Sequence, residues 1–205
     1  VDIMTKVCRF LWAGDQIDAG QYSGSKNKED LSYLYRLAPG VDKKSVENEF
    51  LHMRVMGDVF KPYLLNDENL ESFFLGTQTG FNILWPDTGG RTNKPYDPRI
   101  RPWYTDAVKR NGIGWTEIFK GASTSRLMIA CSSPFSDNKD QIKGVVGVTV
   151  TLDKMLHVIS SQVKEIGYAF LLDKNGNVIA FPALGHEERE KDYGMDNLHK
   201  TGNIE

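Results

Sequence analysis

A repeat restricts this chain more than any other feature. Residues 73–86 read FFLGTQTGFNILWP and residues 169–182 read AFLLDKNGNVIAFP. With Gly80 laid on Gly176, 96 residues on, Phe74 falls on Phe170, Leu75 on Leu171, Ile83 on Ile179 and Pro86 on Pro182. Each copy reads as strand, turn, strand and proline, and five of the 14 positions are identical. A period of this length is domain-sized rather than solenoid-sized, so the sequence predicts two related sheet-containing units. From Pro86 to Leu152, 66 residues hold the loop, helix and strands that follow the first hairpin, whereas only 23 residues follow Pro182. The second unit is therefore expected to be incomplete, either truncated or degenerate.

Around the repeat the period changes between helical and extended. Ile3, Val7, Phe10 and Leu11 form a short stripe at helical spacing, and residues 28–37 read as a second short helix ended by Pro39-Gly40. A long helix is predicted over 45–64, capped by Ser45, with Val46, Phe50, Met53, Met56, Phe60 and Tyr63 on one face. Glu47 and Glu49 suit its positive end, and Pro62 should disturb only its last turn. A short helix is expected over 103–110, between Pro102 at its first position and Gly112 past its end. Strands are predicted over 71–75, 81–85, 126–132 and 143–151, with Pro134, Asp137, Asn138 and Asp140 in the turn between the last two. A helix over 152–166 closes the series before Gly167.

Composition excludes several classes. The 205 residues carry 25 basic and 27 acidic side chains, a formal net charge of −2, and 40% are hydrophobic. That balance gives no basic face for nucleic acid and no signature of disorder. No run of about 18 apolar residues is present, so no segment of this sequence reads as a membrane helix. Cys8 and Cys131 lie far apart, and His52, His157, His186 and His199 are isolated from one another, so no metal site is spelled out. The run Asp173-Lys174-Asn175-Gly176-Asn177 reads as a hairpin turn, not a calcium loop, because its glycine comes too early.

The densest constellation is Tyr96-Asp97-Pro98-Arg99-Ile100-Arg101-Pro102-Trp103-Tyr104. Two guanidiniums, three aromatic rings and a helix start fall within nine residues. Arginine presents a planar fork to a carboxylate, and a helix start favours negative charge. Two readings stay open on these residues alone. The segment is a receptor for a small carboxylate, or Trp103 and Tyr104 plug a core while Arg99 or Arg101 braces Asp97.

This segment, followed by Trp115-Thr116-Glu117 and then by Gly144-Val145-Val146-Gly147-Val148 and Leu152-Asp153, resembles the double Cache sensor family. The resemblance covers residues 70–182. It implies an α+β fold of stacked PAS-like antiparallel sheet units with a helical N-terminal arm. The implied boundaries are an arm over 1–66, a membrane-distal ligand-binding unit over 67–153, a connecting helix over 154–166 and the start of a membrane-proximal unit over 167–205. It implies the extracytoplasmic sensor of a transmembrane receptor, not an enzyme, without cofactor or metal. Its partners would be a small carboxylate-bearing ligand (an organic acid or an amino acid), the membrane through flanking segments, and a second copy through the N-terminal helices. The alternative is a ligand-free dimerisation module.

By resemblance to the amino-acid-binding subgroup, Tyr96, Arg101, Trp103 and Tyr104 belong to the pocket. Arg101 and Trp103 would hold the ligand's carboxylate, and Tyr104 would help at its amine. Thr149 stands where the subgroup has aspartate, and Phe119 and Gly121 stand where it has tyrosine and aspartate. An unpaired buried ammonium is costly, so these departures favour a ligand without an amine unless the N-terminal third supplies an acceptor.

Overall fold

The computed structural model describes residues 1–13, 34–87, 95–122, 126–163, 171–172, 176 and 178–180. The expectations that fall on residues 14–33, 88–94, 164–170, 173–175, 177 and 181–205 lie outside them. In chain order the elements are α1 (Asp2–Ala13), β1 (Leu34–Leu37), α2 (Glu47–Met53), α3 (Met56–Asn66), β2 (Ser72–Thr77), β3 (Phe81–Trp85), α4 (Pro102–Arg110), β4 (Gly114–Trp115), β5 (Phe119–Lys120), β6 (Leu127–Ser136), β7 (Ile142–Thr151), α5 (Leu152–Val163), β8 (Leu171–Leu172) and β9 (Val178–Ala180). Two compact units divide the chain, Val1–Val150 and Thr151–Glu205.

In the first unit one sheet runs in the order β1-β3-β2-β7-β6-β4, with β5 also on β6. The β1–β3, β2–β3, β2–β7, β4–β6 and β5–β6 pairs are antiparallel, an α+β, PAS-like arrangement. Every residue of β2 is buried, because both faces of the sheet centre are covered. Strand alternation divides the work. Phe73, Leu75, Phe81, Ile83, Trp85, Val146 and Val148 turn to one face and share a core with Met4, Cys8 and Leu11 of α1, Met53 of α2, and Met56 and Phe60 of α3. Phe74 and Val145 turn to the other face, with Trp103, Tyr104 and Ala107 of α4. Phe60 anchors the first core, stacked on Phe73 at 4.7 Å between centroids and edge-on to Trp85 at 4.9 Å.

Several sequence expectations change in phase or extent. The α1 stripe is rotated by one residue: Met4, Cys8 and Leu11 are buried, while Ile3 is 60% and Phe10 75% exposed. The spacing is helical either way, and the burial preference of Cys8 tips the phase. Residues 34–37, read as helix, form β1, with Tyr35 opposite Ile83 and Arg36 opposite Asn82. Four residues whose buried member is an arginine carry no legible strand period. Pairing with the open edge of β3 decides the matter instead.

The helix expected over 45–64 is a 3-10 turn (Lys43–Val46) followed by two helices, α2 and α3. Asp42, not Ser45, precedes the turn, and the Ser45 hydroxyl donates to the Asp42 carbonyl at 2.6 Å. At Arg54 and Val55 the bonds tighten: Gly57 N–H reaches Arg54 O at 3.0 Å and Asp58 N–H reaches Val55 O at 3.1 Å. The apolar stripe crosses this bend without a gap, since Met53 and Met56 are both fully buried, so periodicity alone could not show it. Pro62 lies inside α3. Pro134, placed in a turn by the sequence, lies within β6, and the left-handed residue that stops α4 is Asn111 (φ 52°), one before Gly112.

The repeated hairpin is present in both units. Gly76 pairs with Asn82 in the first, and Leu172 with Val178, the positions 96 residues on, in the second. Gly80 and Gly176 both adopt positive φ, +94° and +81°, which a turn at this place requires and glycine meets at least cost. No helix among the described residues is long and apolar enough to cross a membrane.

Candidate functional site

The Tyr96–Tyr104 segment lies over the sheet face opposite α1, α2 and α3. Asp97 starts it by capping a 3-10 turn, Pro98–Ile100. Its carboxylate accepts from Arg99 N–H at 3.0 Å, Arg99 Nε at 2.8 Å and Arg99 Nη2 at 2.7 Å. The Arg99 guanidinium holds the Asp97 carboxyl below its ordinary pKa. Of the two arginines that could brace Asp97, Arg99 does so.

Arg101 is left to a different task. It precedes Pro102, which forces extended backbone on it (φ −87°, ψ 145°) and opens α4. Its guanidinium carbon lies 5.4 Å from the centre of the Tyr96 ring. Its Nε is buried and makes no hydrogen bond among the described residues. Trp103, next on α4, packs against Phe74 at 4.5 Å and donates from Nε1 to the Tyr96 hydroxyl at 3.3 Å. The Ser132 hydroxyl fixes the Trp103 carbonyl at 2.8 Å. Gly76 permits this closeness: a Cβ there would stand 2.6 Å from the Trp103 ring and 2.7 Å from Pro98 Cβ.

A second guanidinium reaches the same ring. Arg36, 8% exposed, lies 3.7 Å over the Tyr96 centroid and donates to Asn82 Oδ1 at 3.3 Å. Asn82 in turn donates to the Leu75 carbonyl at 2.8 Å. Burial lowers the Arg36 pKa, Tyr96 opposes the shift and the Arg101 charge adds to it. Arginine remains charged at physiological pH despite this.

Between the segment and the sheet lies a cavity of about 50 Å³. One buried water needs about 10–15 Å³ on this scale, so there is space for a few waters or a small molecule. Tyr96, Arg101, Trp103, Phe119 and Thr149, all singled out in the sequence, line it. Tyr104 does not. It is buried against Trp103 at 5.7 Å, where loss of solvent pushes its phenol up to about 12.

Sequence reasoning missed Arg36, Glu71, Ser72 and Asn82, which complete the polar part of the wall. Asn82 had a signal, a polar residue amid Phe81, Ile83 and Leu84. The Ser72 and Thr149 hydroxyls are 2.5 Å apart, and the Glu71 N–H donates to the Thr149 carbonyl at 2.9 Å. Among the described residues no three His, Cys, Asp or Glu side chains could hold a metal ion. Cys8 and Cys131 are both buried free thiols, and desolvation raises both pKa values, which suits packing rather than nucleophilic chemistry.

An antiparallel sheet with α1–α3 on one face, and α4 with an arginine-lined cavity on the other, is the architecture of a small-molecule-binding module. The chain belongs to the family described as methyl-accepting chemotaxis protein-like, first PDC sensor domain, whose pattern matches residues 51–157. It is 36% identical over 127 residues to the methyl-accepting chemotaxis protein McpA of Pseudomonas putida, a match covering 58% of this chain and 18% of that protein. Among solved structures it resembles the ligand-binding domain of the Pseudomonas aeruginosa chemoreceptor PctC in complex with GABA. The TM-score is 0.50 at 30% identity, over 57% of this chain and 51% of that one. It also resembles the ligand-binding domain of Pseudomonas fluorescens CtaA in complex with L-leucine. There the TM-score is 0.51 at 26% identity, over 65% and 53% of the two chains. The double Cache resemblance read from the sequence is thus upheld, and the family is one of binding modules rather than enzymes. The chain spans about a fifth of the length of the chemotaxis proteins it matches.

Proposed function

We propose that this chain is the extracytoplasmic ligand-binding domain of a transmembrane chemotaxis receptor and that it binds a small carboxylate-bearing ligand in the cavity beside Arg101. One observation carries the reading: the Arg101 guanidinium lines the cavity with a buried Nε that no described residue satisfies. Leaving a buried polar group unmet is costly, and a carboxylate is the partner whose shape fits a guanidinium. GABA in PctC and L-leucine in CtaA are both carboxylates, which agrees with this chemistry.

In this reading Tyr96, Trp103, Phe119 and Thr149 shape the pocket around the ligand. Binding drives a signal only so far as one arrangement of the Tyr96–Trp103 segment holds the ligand better than another. The membrane is reached through flanking segments, and the outward Ile3 and Phe10 of α1 support pairing of two copies.

The test is a thermal-midpoint screen against small carboxylates with matched amines and alcohols. A carboxylate should raise the midpoint, and Arg101→Ala should weaken its binding by about 2–5 kcal/mol, roughly thirty- to several-thousand-fold in Kd. A full shift in Arg101→Ala overturns the site.

A further inference from the structure

Asn82 holds Arg36 without cancelling its charge. It is 1% exposed and stands among Phe81, Ile83 and Leu84 on β3. A buried amide is costly unless its ends are bonded. The Asn82 Nδ2 donates to the Leu75 carbonyl, a backbone group that can only accept, so the Oδ1 is turned to the Arg36 guanidinium. The amide is thereby fixed against a flip, and its acceptor end is committed to Arg36. A carboxylate at position 82 would set an acceptor against the Leu75 carbonyl and would neutralise Arg36. The amide does neither.

The edge strand β1 also grips the pocket segment. The Tyr96 N–H donates to the Leu37 carbonyl at 3.0 Å, and Arg36, next to Leu37, lies over the Tyr96 ring. Arg101 approaches that ring from further along the segment. Both arginines line the cavity. Their distances to one point, 3.7 and 5.4 Å, bring the two guanidiniums within about 9 Å of each other, where like charges away from bulk water repel. An anion in the cavity is attracted by both, and a neutral molecule of the same shape by neither.

We infer that Arg36 is a second determinant of the site's preference for an anion, and that Asn82 is the positioning residue that holds it over Tyr96. The inference rests on a carboxylate binding beside Arg101, as proposed above. Arg101 supplies the pairing fork from the segment, and Arg36 adds a second positive charge from β1. The selectivity of the site is therefore shared between two parts of the chain, and it is set in part by an amide on a third strand position that is itself buried under Arg36.

Three acid–amide pairs read this by titration calorimetry on the 205-residue chain: butyrate and butyramide, succinate and succinamate, L-leucine and L-leucinamide. In each pair one carboxylate becomes an amide of nearly the same shape, so the ratio of the two affinities separates charge from fit. The wild type should favour the acid in at least one pair. Arg36→Gln should shrink that ratio by about tenfold, and Arg36→Lys should keep part of it. Asn82→Asp should shrink the ratio with Arg36 still present. A change that only loosens the fold weakens acid and amide alike and leaves the ratio as it was. An unchanged ratio in Arg36→Gln overturns the role of Arg36; if Arg101→Ala still abolishes the ratio, the carboxylate site itself stands. An unchanged ratio in Asn82→Asp overturns the role of Asn82. If that variant does not fold, Asn82→Ser, which cannot reach Arg36 and adds no charge, takes its place and should also lower the ratio. A wild type that binds no acid better than its amide removes the proposed site and the inference together.

Discussion

At the scale of single residues, Asp97 decides which of two neighbouring guanidiniums faces the cavity. By engaging three donors of Arg99 it holds that side chain to the loop, and Arg101 is left for a ligand. The same bonds lower the Asp97 pKa below its ordinary 3.8. A carboxyl depressed in the folded state stabilises the fold above its unfolded pKa and loses that contribution as pH falls through the folded value. Asp97→Asn should therefore cost about 0.5–2 kcal/mol of stability at neutral pH, the loss of a cap, and lower the thermal midpoint accordingly. It should also flatten the decline of the wild-type midpoint below about pH 4. Melts from pH 2 to 7 check this: parallel wild-type and variant curves would show that the Asp97–Arg99 pair does not contribute. The arginine–tryptophan segment was legible because its residues are contiguous. Arg36 was not, because a pocket residue on a strand is marked by what lies across the sheet, and register cannot be read along one chain.

At the scale of elements, α4 and its leading turn are seated by a missing side chain. Gly76 on β2 gives the Trp103 ring and Pro98 the space that a Cβ would take. Both are parts of the packed segment rather than free ends, so neither can swing away cheaply. Gly76→Ala should cost about 1–3 kcal/mol of stability, the usual penalty of overpacking. It should also weaken ligand binding, because the segment carrying Tyr96 and Arg101 must lift from the sheet. Denaturant melts and ligand titration read the two effects separately; lost stability with unchanged affinity would mean that the segment repacks without moving Arg101. The hairpin itself was legible twice over, since β2–β3 repeats in β8–β9 with its glycine in the same place. Elements set by their neighbours were not. β1 exists because β3 offers an edge, and the break between α2 and α3 is hidden by a stripe that runs through Met53 and Met56 unbroken.

At the scale of the molecule, one sheet in the Val1–Val150 unit serves two tasks on its two faces. Phe73 and Leu75 point to the helices and Phe74 between them to the cavity, so the core that sets stability and the wall that meets ligand differ by one residue along β2. The two should separate by mutation. Phe60 is fully buried between Phe73 and Trp85 on the helical face. Phe60→Ala should cost about 3–5 kcal/mol, a large share of the roughly 5–15 kcal/mol that holds a domain folded. Ligand at a hundred times its Kd returns about 2.7 kcal/mol, which offsets part of that loss and not all of it. The variant should thus melt well below the wild type yet gain the same stabilisation from saturating ligand, because Phe74, Trp103 and Arg101 lie across the sheet from the cavity that the mutation leaves. Urea melts with and without a saturating carboxylate from the thermal-midpoint screen measure both quantities. An undiminished ligand increment in Phe60→Ala shows that the faces act independently. Its disappearance would show that the binding segment is positioned through the helical core, with α3 and the pocket forming one cooperative element.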